Sequence, residues 1–129
     1  MKLYVFLLIV VLSCKQSVQQ ETKVISPNEV QTYLQKGDIQ LVDVRTPEEY
    51  KDGFIAKAIN IDFFSPTFLE EISKLDKEKP IILYCKKGGR SAKSAKQLHD
   101  AGFIEIYDLE GGFTNWKDKG LDVMIPDTK

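Results

Sequence analysis

The chain has 129 residues, 43% apolar and 29% charged, the make-up of one globular domain with room for an N-terminal extension. Its 18 Lys and Arg against 19 Asp and Glu give a formal net charge of −1, which excludes a general nucleic-acid binder. Two cysteines are too few for a disulfide framework, and the single histidine, His99, cannot build a metal centre, so no cofactor or metal is implied.

Lys2 followed by the unbroken apolar run Leu3–Leu12 reads as an export signal. The run is too short to span a bilayer and of the length of a signal-peptide core. It ends in Ser13-Cys14, which resembles the bacterial lipoprotein signal, where the cysteine is lipidated and becomes the mature N-terminus. On that resemblance residues 1–13 are a signal peptide and Cys14 is the lipidation site. The membrane is then a partner through the lipid, and the protein faces the periplasm of a bacterial cell envelope. Residues 14–23 are polar and aperiodic, a flexible tether, which leaves residues 24–129 as the folded domain.

Ser26-Pro27-Asn28-Glu29 carries a serine cap, proline at the first helical position and glutamate three residues on, and predicts a helix whose inner face bears Val30, Tyr33 and Leu34. Ile39–Val44 is a mostly apolar, β-branched strand ending in Asp43-Val44-Arg45. Thr46-Pro47-Glu48-Glu49 repeats the capping pattern, and Ala58–Ile61 is a short strand. Ser65-Pro66 is read as the start of a helix with Phe68, Ile72 and Leu75 inward. Pro80–Tyr84 is the strand that delivers Cys85. From Arg90 a helix with Ala92, Ala95 and Leu98 on one face runs to the terminating Ala101-Gly102-Phe103, glycine being the usual left-handed residue there. Ile104–Leu109 is a strand, Gly111-Gly112 a turn and Phe113–Asp118 a last helix carrying Trp116. Strands alternate with helices and no hairpin signal joins two strands, which predicts an α/β fold: a parallel sheet of about five strands with helices on both faces. In such sheets ligands bind beyond the carboxyl ends of the strands, where Asp43, Arg45 and Cys85 all fall.

The chemistry concentrates in Cys85-Lys86-Lys87-Gly88-Gly89-Arg90-Ser91. A glycine-rich turn between a strand and a helix start turns N–H groups toward one point, and the helix adds the positive end of its dipole. A sulfur placed there is stabilised as the thiolate, so Cys85 is the candidate nucleophile. Gly88 and Gly89 are read as supplying positive φ, and Lys86, Lys87, Arg90 and Ser91 as binding an anionic substrate. No His or Asp adjacent in sequence offers a general base, and a thiolate stabilised by the loop needs none.

Several separated motifs in this order resemble a single-domain rhodanese, a sulfurtransferase homology domain, from about Ser26 to Asp118. They are Leu41-Val42-Asp43-Val44-Arg45 with Thr46-Pro47-Glu48-Glu49-Tyr50, Ala58-Ile59-Asn60-Ile61, the cysteine loop through Ala92, Ala101-Gly102-Phe103, and Leu109-Glu110-Gly111-Gly112 with Trp116. The resemblance implies that Cys85 takes a sulfane sulfur from a small anionic donor such as thiosulfate. As a persulfide it then passes that sulfur to cyanide or a thiol. Arg45 becomes a residue of the pocket rim, and Asp43 a structural carboxylate capping a turn beside the site. A persulfide carrier or a non-catalytic partner-binding module would share these motifs. A small phosphatase of the same fold would place five residues between Cys and Arg, where this chain has four. The protein is expected to be a monomer. One segment departs from the family's usual Gly-His-Ile-Pro-Gly-Ala: this chain has Gly53-Phe54-Ile55-Ala56-Lys57-Ala58.

Overall fold

The computed structural model describes residues 21–127. The signal peptide, Cys14 and all but the end of the tether lie outside them. No described helix is long and apolar enough to cross a membrane.

The elements in chain order are β1 (Lys23–Ile25), α1 (Pro27–Lys36), β2 (Gln40–Asp43), α2 (Pro47–Lys51), β3 (Ile59–Asn60), α3 (Phe68–Ser73), β4 (Ile81–Tyr84), α4 (Gly89–Asp100), β5 (Ile106–Leu109) and α5 (Gly112–Asp118). One five-stranded sheet runs β1-β5-β4-β2-β3, and every pairing in it is parallel. β4 lies at the centre with all four residues buried, as expected of a strand covered on both faces. Alternation splits the core in two. Val42, Ile81, Leu83 and Ile106 pack under Phe68 and Ile72 of α3 and Ala95 and Leu98 of α4. Leu41, Ile82, Tyr84 and Tyr107 face Val30 of α1 and Phe113 and Trp116 of α5. Burying one such aliphatic side chain is worth about 1.5–3 kcal/mol, so the two layers carry most of the stability.

Both expected capping boxes form. The Ser26 side chain accepts from the Glu29 N–H while the Glu29 carboxylate accepts from the Ser26 N–H, and Thr46 and Glu49 do the same at α2. Gly102 closes α4 at φ +96, with the Phe103 N–H reaching back to the Leu98 carbonyl at 3.1 Å.

Three details differ from the sequence reading. A first strand, β1, precedes α1 and begins at Lys23, inside the stretch read as tether. Only Ile25 of its three residues is buried, so this edge strand has no alternation to reveal it. Ser65-Pro66 does not start α3; a turn follows it and the helix begins at Phe68 behind Thr67, whose side chain makes no capping bond. On α4 the inner face is Ser91, Ser94, Ala95 and Leu98, while Ala92 points to solvent. The serines point inward because their hydroxyls are satisfied locally: Ser94 Oγ donates to the Arg90 carbonyl at 2.8 Å and Ser91 Oγ to that of Gly88 at 3.2 Å.

Candidate active site

Cys85 follows directly on β4, at the carboxyl edge of the sheet and only 2% exposed. The Gly88 N–H donates to its Sγ at 3.0 Å, and Ser91 Oγ stands 3.4 Å away on the other side. The loop can curl this tightly because Gly88 sits at φ +131, a region closed to other residues. Gly89 plays no such part: its φ is not positive, and it opens α4.

A second glycine holds the loop from behind. Gly112 sits at φ +61, and a Cβ there would fall 2.6 Å from the carbonyl oxygens of both Cys85 and Lys86. This approach lets the first amides of α5 reach those carbonyls, Phe113 N–H to Cys85 at 2.8 Å and Thr114 N–H to Lys86 at 3.0 Å. Across each peptide plane the N–H lies opposite the C=O, so the amides of Lys86 and Lys87 are turned away from α5.

Arg90 is placed differently from the sequence reading. Its guanidinium is a two-pronged partner of Glu49, Nη1 to Oε1 at 2.5 Å and Nη2 to Oε2 at 2.9 Å, tying the start of α4 to α2. These hydrogen bonds from Arg90 hold the Glu49 carboxyl down at about 2. Arg90 therefore shapes the loop as a latch, with its charge largely committed before any substrate arrives. Glu49 is the functional residue that sequence reasoning missed. Its capping role explains it fully at the local level, and nothing in a chain read linearly links it to a residue 41 positions away.

Arg45 is likewise a strut. It is 3% exposed, its Nε and Nη2 donate to the Asp43 carboxylate at 2.6–3.0 Å, and Nη2 also reaches the Gly53 carbonyl at 2.7 Å. Its guanidinium lies 4.0 Å from the centre of the Phe113 ring. Asp43 additionally accepts from the Arg45 backbone N–H at 2.9 Å, the turn-capping role expected of it. Arg45 still borders the open cleft of about 210 Å³ beside the loop, together with Glu49, Asp52, Lys86, Phe113, Thr114 and Lys117. Lys86 and Lys87 are both exposed, with Lys86 at the cleft and Lys87 outside it. The arrangement is that of a buried thiol under a tight amide loop, beside a cleft whose rim carries both basic and acidic side chains.

Residues 26–119 match the model of the family described as Rhodanese-like domain. The chain belongs to this family. Among curated relatives, the thiosulfate sulfurtransferase GlpE of Coxiella burnetii is 42% identical over 96 residues, 74% of this chain and 87% of the relative. Among solved structures, a rhodanese-like domain protein of Staphylococcus aureus is 32% identical with a TM-score of 0.70, covering 82% of this chain and all of that one. A polysulfide-sulfur transferase homodimer of Wolinella succinogenes is also 32% identical, with a TM-score of 0.68 over 82% of this chain and 80% of that one.

The rhodanese-like fold also accounts for the departing segment. Lys57 stands at φ +70 where the family commonly has glycine, and Phe54, in the histidine position, stacks on Tyr50 at a centroid distance of 4.3 Å. Phe54 is also tied by backbone bonds in both directions to Met124, each of 2.8 Å.

Proposed function

We propose that this rhodanese-like sulfurtransferase moves a sulfane sulfur from thiosulfate, or a donor of the same charge and shape, to cyanide or a thiol through a persulfide on Cys85. The Cys85 thiolate attacks the outer sulfur, a new S–S bond forms at Sγ, and sulfite leaves with the electron pair of the bond that breaks. A thiolate or cyanide then attacks the outer sulfur of the persulfide, and Cys85 departs as the thiolate. The observation that carries the reading is the Gly88 N–H bonded to Sγ at 3.0 Å in a loop closed by the Arg90–Glu49 pair. A donor amide so placed can hydrogen-bond the negative charge that develops on the sulfur as Cys85 leaves. The shortness of the loop, four residues between Cys85 and Arg90, supports one added sulfur over a tetrahedral phosphate.

Thiosulfate treatment should add the mass of one sulfur atom to the intact protein, and Cys85→Ala should abolish the increment. An unchanged mass in the parent protein would refute the persulfide. Hydrolysis of an aryl phosphate that depends on Cys85 would favour the phosphatase chemistry instead.

The site is further proposed to work at the bacterial envelope, carried there by lipid on Cys14. The support is the sequence of residues 1–14 and the polar stretch that follows it. Incorporation of labelled fatty acid that disappears in Cys14→Ser would bear this out; equal labelling of both proteins would defeat it.

A further inference from the structure

The cleft beside the cysteine loop holds a charge that an anionic donor does not call for. Its inner wall is the loop itself. Lys86, which lines it, follows Cys85 directly. Phe113 and Thr114, which line it too, hold the carbonyls of Cys85 and Lys86 at 2.8 and 3.0 Å. Two of the charged groups around it are committed inside the protein, Arg45 to Asp43 and Glu49 to Arg90. Asp52, Lys86 and Lys117 also line it; all three are exposed, and among the described residues none forms an ion pair.

The free charges of opposite sign stand on well-held backbone. Asp52 closes α2, its N–H reaching the Glu48 and Glu49 carbonyls at 3.3 and 3.2 Å. The next residue, Gly53, is fixed through its carbonyl by Arg45 at 2.7 Å. Lys117 lies one turn beyond Phe113 on α5, its Nζ 5.2 Å from the centre of that ring. Two free ammonium groups suit a dianionic donor, but a free carboxylate in the same cleft opposes any ligand that is only an anion. One carboxylate together with two ammonium groups is complementary to a ligand that carries both signs. The volume of about 210 Å³ is below the ~300–1,000 Å³ of a site for a drug-sized molecule, which favours a ligand the size of an amino acid.

We propose that the sulfur acceptor is a small thiol bearing both an ammonium and a carboxylate, with Asp52 receiving the ammonium and Lys86 and Lys117 the carboxylate. The inference rests on Cys85 as the sulfur carrier and names the acceptor class for it. The acceptor enters as its thiolate, its proton having gone to solvent. Its sulfur bonds to the outer sulfur of the Cys85 persulfide, the bond from that sulfur to Sγ breaks, and the electron pair of that bond returns to Cys85 as the thiolate. The product is the persulfide of the acceptor. Cyanide, with no ammonium, makes no use of Asp52.

The test removes one charge at a time from ligand and protein. Asp52→Asn should lower the ratio of kcat/KM for cysteine to that for 3-mercaptopropionate, the same thiol without its ammonium. The drop should be about two- to fivefold, the size of a solvent-facing ion pair. Lys86→Gln with Lys117→Gln should lower the ratio of cysteine to cysteamine, which lacks the carboxylate, by a similar factor. The intrinsic reactivities of the thiols cancel, because each ratio is compared between two proteins. An unchanged ratio in either variant would overturn the proposal. S-methylcysteine and 3-(methylthio)propionate cannot accept sulfur, so their binding to the full-length protein, followed by the amide NMR shifts of Lys86 and Thr114, tests the cleft without turnover. The parent should bind S-methylcysteine more tightly and Asp52→Asn should level the two; equal affinities in the parent would overturn the proposal. If thiosulfate adds no sulfur to Cys85 while this preference holds, the transfer reading fails and the cleft keeps its ligand class. If sulfur is added and the preference is absent, only the present inference fails.

Discussion

At Lys57 the backbone holds φ +70 on a side chain with a Cβ, in an exposed turn between α2 and β3. Left-handed backbone costs a residue other than glycine about 1–2 kcal/mol, and no hydrogen bond or ion pair of the Lys57 side chain offsets it among the described residues. Lys57→Gly should therefore stabilise the domain by about 1 kcal/mol, part of the relief being lost to the freer unfolded chain. Urea unfolding measures this; a lower midpoint would show that the lysine makes a contribution of its own. Asp43 and Arg45 show the opposite economy. Both are buried and each satisfies the other, so removing either would strand an uncompensated charge, a loss of about 3–5 kcal/mol.

Two elements clamp the cysteine loop. α5 holds it from behind through the Phe113 and Thr114 amides, and Gly112 is what lets the backbones touch. Gly112→Ala combines a left-handed alanine with a clash against two carbonyl oxygens, a cost of about 2–4 kcal/mol. It should slow persulfide formation more than Gly120→Ala, whose Cβ would meet nothing within 4 Å; equal rates in the two variants would mean that the loop does not need α5. α2 holds the loop from the side through Glu49 and Arg90. Glu49 titrates lower folded than unfolded, so the latch strengthens the fold above the unfolded carboxylate value near 4.5 and weakens it as pH falls toward about 2. Glu49→Gln should abolish that part of the acid sensitivity and raise KM for thiosulfate at neutral pH. An acid-unfolding profile identical to the parent's would remove the latch from the account.

For the molecule as a whole, a net charge of −1 gives an anion little long-range attraction. On the proposed reading the pull toward the site would come from Lys86 and Lys117 at the cleft, with Lys87 nearby; all three are exposed and so screened within about 10 Å at 0.1 M salt. KM for thiosulfate should rise with ionic strength while kcat holds steady. Steady-state kinetics across a salt series checks this, and a salt-independent KM would leave the lysines without a role in capture.

The residue pattern by itself determined the α/β alternation, the parallel sheet, both capping boxes, the end of α4 and the place of Cys85. These depend on neighbours within about a turn of helix or a strand's length, where spacing and backbone preference are decisive. Tertiary structure decided what partners do to side chains. It turned Ser91 inward and Ala92 outward, gave Arg90 to Glu49 and Arg45 to Asp43, and made an edge strand of Lys23–Ile25 because β5 was there to receive it. A hydrogen bond is specified by where two groups meet, and only the folded sheet brings strand ends far apart in sequence to one edge.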